Sequence, residues 1–380
     1  MFGFRVPTRV HVAPGCLSRL PEALSIVGLR RVLLVVDPGL VAGGWPERVQ
    51  GVLEEANVEV ELFDAVEVNP RTTTATKAAE ALRGGELEGI VGLGGGSVLD
   101  AAKAAAMLAT NAGQPEHFEG RDRFAATPLP FVAVPTTCGT GSEVTWVSVL
   151  THEPTRTKIS IKGESMFPRL ALVDADLIAT LPGALVATTG LDAMTHALEA
   201  TTCNLANPVS DALAEKAIGL LLAYLPRAAA DPACDAVARE AVMRAATLAG
   251  LAFGNADVAG VHCLSESLGG LYDVPHGLAN AVLLVPVLRA HGEAVAGRLA
   301  ELEASVEAVA AGPAAERAER FRGRLEALAR ELEMPPFSRF GIPAADHARI
   351  AESAARNGSN SSNPRPMAAT DYRRVLESLG

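Results

Sequence analysis

Asp192 and His196 stand four positions apart in the segment GLDAMTHALE, which reads as a helix, so both side chains project from one helical face. Two further histidines, His262 and His276, lie in a tract rich in Gly, His and Ser, the second in a Pro-His-Gly turn. One carboxylate and three imidazoles suit Fe2+, Zn2+ or a similar divalent ion. If water or a substrate oxygen completes the shell, the ion is catalytic rather than structural. It would then polarise a carbonyl for hydride attack or acidify an alcohol. A lone histidine is more often packed or at the surface, and His11, His117, His152, His291 and His347 are read that way. Spacing alone leaves both readings open for the four-residue set.

A second kind of chemistry is written in glycine. Gly92, Gly94, Gly95 and Gly96 precede Ser97 between a strand-like run and a helical one. Such a loop lets backbone approach a pyrophosphate, and the helix start offers free N–H groups with a favourable dipole. A tight strand-to-helix turn is the plainer alternative, but it needs fewer glycines. The next loop, PTTCGTGSE, offers the Thr136, Thr137, Thr140 and Ser142 hydroxyls to a diphosphate or a ribose. Asp37 ends an earlier strand, where an acid either takes the adenosine ribose hydroxyls and repels a 2′-phosphate or caps the helix after Pro38-Gly39.

These groups need elements to hold them. Runs at 31–36, 58–63, 89–93 and 131–134 read as buried strands, and 46–56, 74–83 and 98–109 as helices. That alternation implies a parallel sheet with helices on both faces. After about Leu181-Pro182 strand-like runs almost vanish, and Ala/Leu/Glu-rich stretches such as 209–225 and 314–331 take over. The expected division is an α/β dinucleotide-binding domain over 1–183 and an all-helical metal-binding domain over 184–380. Two tracts, 255–277 and 357–366, break the helical pattern.

The 380 residues, 49% apolar and 20% charged, carry a formal net charge of −11, which argues against a general nucleic-acid binder. Five scattered cysteines make no metal knuckle and fit a reducing compartment. The N-terminal MFGFRVPTRVHV has no apolar signal-peptide stretch, and no run approaches a membrane span. The expectation is a soluble, cytoplasmic protein without nucleic-acid or membrane partners.

GGGSVLDAAK, PTTCGTGSEVT, GLDAMTHALEA and VHCLSESLGGLYDVPHGLANA, in that order, resemble the iron-containing (group III metal-dependent) alcohol dehydrogenases. The resemblance runs from Gly15 to Asn363-Pro364-Arg365 and implies a Rossmann-like N-terminal domain followed by a helical one, the dehydroquinate synthase-like architecture. It further implies Asp192, His196, His262 and His276 as ligands of a divalent metal, Fe2+ before Zn2+. Gly94, Gly95, Gly96 and Ser97 would be the pyrophosphate loop, with Thr136, Thr137, Thr140 and Ser142 as cofactor contacts. Asp37 would favour NAD(H) over NADP(H), and Asn69 and Lys158 would lie on the cofactor side. A homodimer through the N-terminal domain is the family expectation.

Many relatives have His-x-x-x-His before the Pro-His-Gly turn, whereas this chain has His262 followed four positions later by Glu266. A carboxylate there would relay a proton, or would be a salt-bridge partner or support for a metal-bound histidine. Arg156, Lys158 and Lys162 cluster, and Arg365 follows in a polar loop. Such charges usually form a solvated face, and any that turned towards the substrate would favour an anionic aldehyde. SESLGGLYDVPHG and NPRPM resemble the phosphonoacetaldehyde reductase branch, which makes 2-hydroxyethylphosphonate in phosphonate biosynthesis. Hydride transfer between NAD(P)H and a small aldehyde is the reading. The alternatives are a lyase or cyclase resembling dehydroquinate synthase, a reductase of another small aldehyde or ketone such as lactaldehyde, and a vestigial binding protein.

Overall fold

Val32 and Leu34 face one side of their strand and Leu33 and Val35 the other, and all four are fully buried. A strand apolar on both faces needs cover on both, and the computed structural model, which describes residues 2–307 and 311–379, supplies it. Strands β1 (Arg9–Val12), β2 (Arg31–Val35), β3 (Glu59–Phe63), β4 (Gly89–Gly94), β5 (Gly120–Arg121), β6 (Phe131–Pro135), β7 (Val147–His152), β8 (Thr157–Lys162) and β9 (Leu170–Val173) form two sheets. The larger is parallel throughout, in the order β1-β9-β6-β4-β2-β3. Helices α1 (Leu20–Val27), α2 (Pro38–Ala42), α3 (Trp45–Glu55), α4 (Thr72–Gly84) and α5 (Gly96–Thr110) connect its strands. Residues of α4 and α5 share one core with Leu33, Ile90 and Ala133, while those of α1 and α3 share the other with Leu34, Val91 and Val132.

The expected strands and helices of this half are present, with ends shifted by at most two residues. The edge strand β1, the inner strand β9 and the small sheet β5-β8-β7 were not anticipated. β9 (LALV) is apolar throughout but only four residues long, while β1, β5, β7 and β8 are short or alternate with polar residues and lack the continuous apolar run that marks β2 and β4. The chain changes direction across the large sheet between β2 and β4, since β3 lies outside β2 while β4 and β6 run the other way. Ligands of open parallel sheets bind beyond the carboxyl ends of strands at such a point.

The chain divides into one unit of Arg5–Ala179 and another of Met1–Phe4 with Thr180–Gly380. Among its described residues the second unit is helical: α6 (Gly183–Thr202), α7 (Pro208–Ala230), α8 (Ala236–Phe253), α9 (Gly260–Tyr272), α10 (His276–His291), α11 (Glu293–Val306), α12 (Ala314–Glu331), α13 (His347–Arg356) and α14 (Ala369–Glu377). One expectation is corrected here. The tract 255–277 does not interrupt the helical pattern throughout, because α9 fills most of it and leaves only short breaks on either side. Gly260, Gly269 and Gly270 are buried within α9 rather than placed in a loop. No single described helix is long and apolar enough to cross a membrane.

Candidate metal centre and cofactor loops

On α6, Asp192, His196 and Glu199 fall at i, i+4 and i+7, one stripe along the helix. Helix α9 brings His262 to that stripe, and α10 opens on His276 directly after Pro275. Gly277 permits the approach of α10 to α6. A Cβ there would stand 2.9 Å from the Thr188 carbonyl oxygen and 3.4 Å from the Asp192 Cβ. As a result one ligand atom from each of Asp192, His196, His262 and His276 lies within 4.8 Å of all the others.

The donors fit a divalent ion. His196 Nε2 and His262 Nε2 are 3.0 Å apart, and His276 Nε2 is 3.7 Å from Asp192 Oδ1. Two nitrogens each about 2.1 Å from one ion lie about 3.0 Å apart at a right angle and about 3.4 Å apart at the tetrahedral angle. Asp192, His196 and His262 are buried and His276 is partly exposed. The ring of His196 is stacked on Phe253 with centroids 4.3 Å apart, which fixes its plane.

Behind these residues sits Glu199, which had not been singled out. It accepts from His262 Nδ1 at 2.6 Å and from the backbone N–H groups of Ala259 and Val261 at 2.8 and 2.6 Å. Helix α9 has no side-chain cap of its own, so this carboxylate satisfies its first N–H groups and faces the positive end of its dipole. The same contact leaves the proton of neutral His262 on Nδ1 and the Nε2 lone pair towards the other ligands. Burial alone would push the Glu199 carboxyl up, but the His262 hydrogen bond and charge, with the two N–H groups, hold it below its ordinary value. Burial likewise works against the His262 imidazolium, while Glu199, then Asp192 and Glu266, raise its pKa. The signal for Glu199 was in the sequence, one turn beyond His196 on the same stripe.

In the other unit, the paired ends of β4 and β6 (Gly94 opposite Pro135) send out the two loops side by side. Gly95 is the N-cap of α5 and makes no side-chain cap bond, leaving the helix start for an external acceptor. A Cβ on Gly96 would stand 2.4 Å from the Thr140 Cγ2, and one on Gly95 3.0 Å from the Thr137 Cγ2, so side chains in the first loop would collide with the second. Thr136 donates its N–H to the Gly94 carbonyl at 3.0 Å, while Ser97, Thr137 and Thr140 are partly exposed. Lys158 Nζ donates to Asn69 Oδ1 at 2.8 Å, across 89 residues of sequence, with Asn69 held at φ 55°.

Ser142 is buried and its hydroxyl donates to Asp100 Oδ1 at 2.7 Å, tying the second loop to α5. That contact belongs to a buried cluster in which Lys103 Nζ donates to Thr145 Oγ1 and the Val147 carbonyl. Burial pushes the Lys103 ammonium down to about 8, against Asp100 and Glu143. Asp37 does cap its helix, but both bonds, from Gly39 and Leu40 N–H, fall on Oδ1.

Two family models match the chain: iron-containing alcohol dehydrogenase over residues 7–175, and the C-terminal part of the Fe-containing alcohol dehydrogenase family over residues 186–380. The chain belongs to the iron-containing alcohol dehydrogenase family. It is 37% identical over 369 residues to 1,3-propanediol dehydrogenase of Klebsiella pneumoniae, covering 96% of this chain and 95% of that one. Choline dehydrogenase of Bacillus subtilis is 32% identical, with 97% and 92% covered. The crystal structure of a 1,3-propanediol oxidoreductase superposes with a TM-score of 0.96 at 35% identity over the whole of both chains. Sulfoacetaldehyde reductase from Bifidobacterium kashiwanohense, in complex with NAD+, superposes with a TM-score of 0.88 at 27% identity, over 100% of this chain and 98% of that one. The family is one of oxidoreductases that use NAD(H) and an iron-type metal, and the chain is an enzyme of that class.

Arg156 is exposed in the β7–β8 turn at φ 53° and Lys162 ends β8, six residues and about 20 Å of strand away. The Arg365 guanidinium donates to the carbonyls of Ala290 and Pro366 and to Asp371 Oδ1. Glu266 is partly buried on α9, one turn beyond His262, and accepts from Asn357 Nδ2 at 2.6 Å.

Proposed function

We propose that the chain is a metal-dependent reductase that passes a hydride from NAD(H) to a small aldehyde, with Asp192, His196, His262 and His276 as the metal ligands. The convergence of those four ligand atoms within 4.8 Å of one another supports this most directly. A divalent ion there supplies Lewis acidity that polarises a carbonyl, and the nicotinamide supplies the hydride. The protein's part is to fix the donors and hold the dinucleotide. Glu199 locks the His262 tautomer, the glycine loop and α5 receive the pyrophosphate, and Asp37 Oδ2 takes the adenosine ribose. Glu266 relays the proton that completes the alcohol, restrained by Asn357. In balance, aldehyde, NADH and a proton give alcohol and NAD+.

The substrate is proposed as a small anionic aldehyde, with phosphonoacetaldehyde first and lactaldehyde as the uncharged alternative. The similarity to a sulfoacetaldehyde reductase supports the anionic class, beside the SESLGGLYDVPHG and NPRPM segments. Assembly is proposed as a homodimer, as the family resemblance implies, and solution mass checks it.

Chelation should abolish NADH oxidation with an aldehyde, and re-addition of Fe2+ or Zn2+ should restore it. Chelator-resistant turnover by protein free of metal on elemental analysis would overturn the reading. A screen of phosphonoacetaldehyde, sulfoacetaldehyde and lactaldehyde with NADH and NADPH separately decides the finer proposal.

A further inference from the structure

Helix α10 carries a second residue one turn beyond His276. Asn280 is completely buried, and its amide nitrogen lies 2.6 Å from Asp192 Oδ1, 3.2 Å from His276 Nε2 and 3.3 Å from His262 Nε2. It therefore touches three of the four proposed ligand residues at the ligand atoms themselves. Its carbonyl oxygen is buried with no hydrogen-bond partner. A buried amide ordinarily satisfies both ends, so an orphaned oxygen on one side implies a strong demand for donors on the other.

That demand is visible in the site. The carboxylate of Asp192 is an acceptor, and Glu199 holds the proton of neutral His262 on Nδ1, so His262 Nε2 presents a lone pair towards Asp192. Acceptors brought this close repel one another unless a positive group sits among them. The Asn280 NH2, with two hydrogens, is such a group. Turning the amide over would put its oxygen against Asp192 and add one more lone pair.

We propose that Asn280 preorganises the metal centre: its NH2 stands in for the cation's positive charge among the converging acceptors and keeps Asp192 aligned with His262 and His276. It is a positioning residue, acting through the ligands rather than on substrate. Groups of this kind that orient metal ligands typically change metal affinity tenfold to a hundredfold when removed. This inference rests on the ligand assignment above, and the experiment separates the two.

The probe is Co2+, titrated into metal-free protein against a chelator of known affinity, with the visible ligand-field bands recorded. The parent should bind one equivalent, and His276→Ala should lose it; a parent that binds no Co2+ overturns both the ligand set and this proposal. Asn280→Leu replaces the amide by an apolar group of similar volume. It should bind Co2+ about tenfold to a hundredfold more weakly, with shifted bands. Parent-like affinity and bands in that variant would overturn the role of Asn280 alone.

Asn280→Asp guards against a folding defect in the leucine variant. It keeps the shape but removes the donors, so the metal-free protein should melt below the parent and gain more than the parent on adding Co2+. A purely packing role predicts melting like the parent with an equal Co2+ gain, and that result would overturn the proposal.

Discussion

Glu199→Gln is the sharpest test of how the metal centre is held, because the two ends of a carboxamide are not alike. The carboxylate accepts three donors: Ala259 N–H and His262 Nδ1 on Oε2, and Val261 N–H on Oε1. Glutamine keeps one acceptor and turns the other into a donor. If its oxygen takes the place of Oε2, the Val261 N–H faces an NH2 group. If it takes the place of Oε1, both Ala259 N–H and His262 Nδ1–H do. At least one buried donor is orphaned either way, at about 1–3 kcal/mol. The first arrangement is the cheaper, so the metal-free variant should lose about 1–3 kcal/mol in urea unfolding.

The metal reads out a second effect. Without the carboxylate charge, His262 is a weaker base at Nε2, and affinity for Zn2+ or Co2+ should fall about tenfold to a hundredfold, or roughly 1.4–2.8 kcal/mol. The pH dependence has a definite sign. A carboxyl held below its ordinary value contributes stability above the unfolded-state pKa of about 4.5 and loses it as pH falls through the folded value. That part of the acid limb should be missing from the glutamine variant. Metal affinity within twofold of the parent, together with unchanged unfolding, would refute this account of Glu199.

His291 is buried, and burial lowers its imidazolium to about 4 from 6.5, against the charge of Glu199. The unfolded chain therefore takes up this proton first, so stability falls as pH drops from about 6.5 to about 4, by about 3 kcal/mol in all; His291→Gln should flatten unfolding curves over that window and nowhere else. Gly96→Ala puts a Cβ 2.4 Å from the Thr140 Cγ2 and should raise the KM for NADH about tenfold with a modest loss of thermal stability. Lys158→Met removes the charged donor to Asn69 Oδ1, and NADH affinity measured by fluorescence titration should weaken about tenfold while metal content stays the same. Glu266→Gln should lower the rate with metal content unchanged; an unchanged rate would take Glu266 out of the proton path.

How much of the fold was legible follows from what each element buries. Strands β2 and β4 are apolar on both faces, because helices cover the sheet on both sides, and such runs announce themselves. Strand β8 alternates, with Ile159 and Ile161 buried between Lys158, Ser160 and Lys162, so TKISIK has the charge content of a solvated segment. Helix α9 is hidden for a related reason. Glycine lowers helix propensity in general, but Gly269 and Gly270 sit on a buried surface where tertiary packing overrides it.

The four proposed metal ligands were legible as residue types, since an Asp and a His at helical spacing, as at Asp192 and His196, are rare enough to notice. The groups that hold them were not. Glu199 and Asn280 are a carboxylate and an amide on helices, and residues of both kinds are ordinarily solvated there. Only burial turns them into obligations, because a carboxylate in the interior has to find donors and an amide has to find acceptors. Glu199 could have been reached from its stripe on α6 with Asp192 and His196. Asn280 could not, since its placement needs α10 to approach α6 at Gly277, and that contact joins residues 88 apart. Arg365 shows the same logic from the other side. A lone cation in a polar loop suggests a ligand for anions, yet its guanidinium donates to the carbonyls of Ala290 and Pro366 and to the Asp371 carboxylate. Those bonds tie the loop to α10 and α14, so substituting Arg365 should be read first by unfolding and only then by substrate KM.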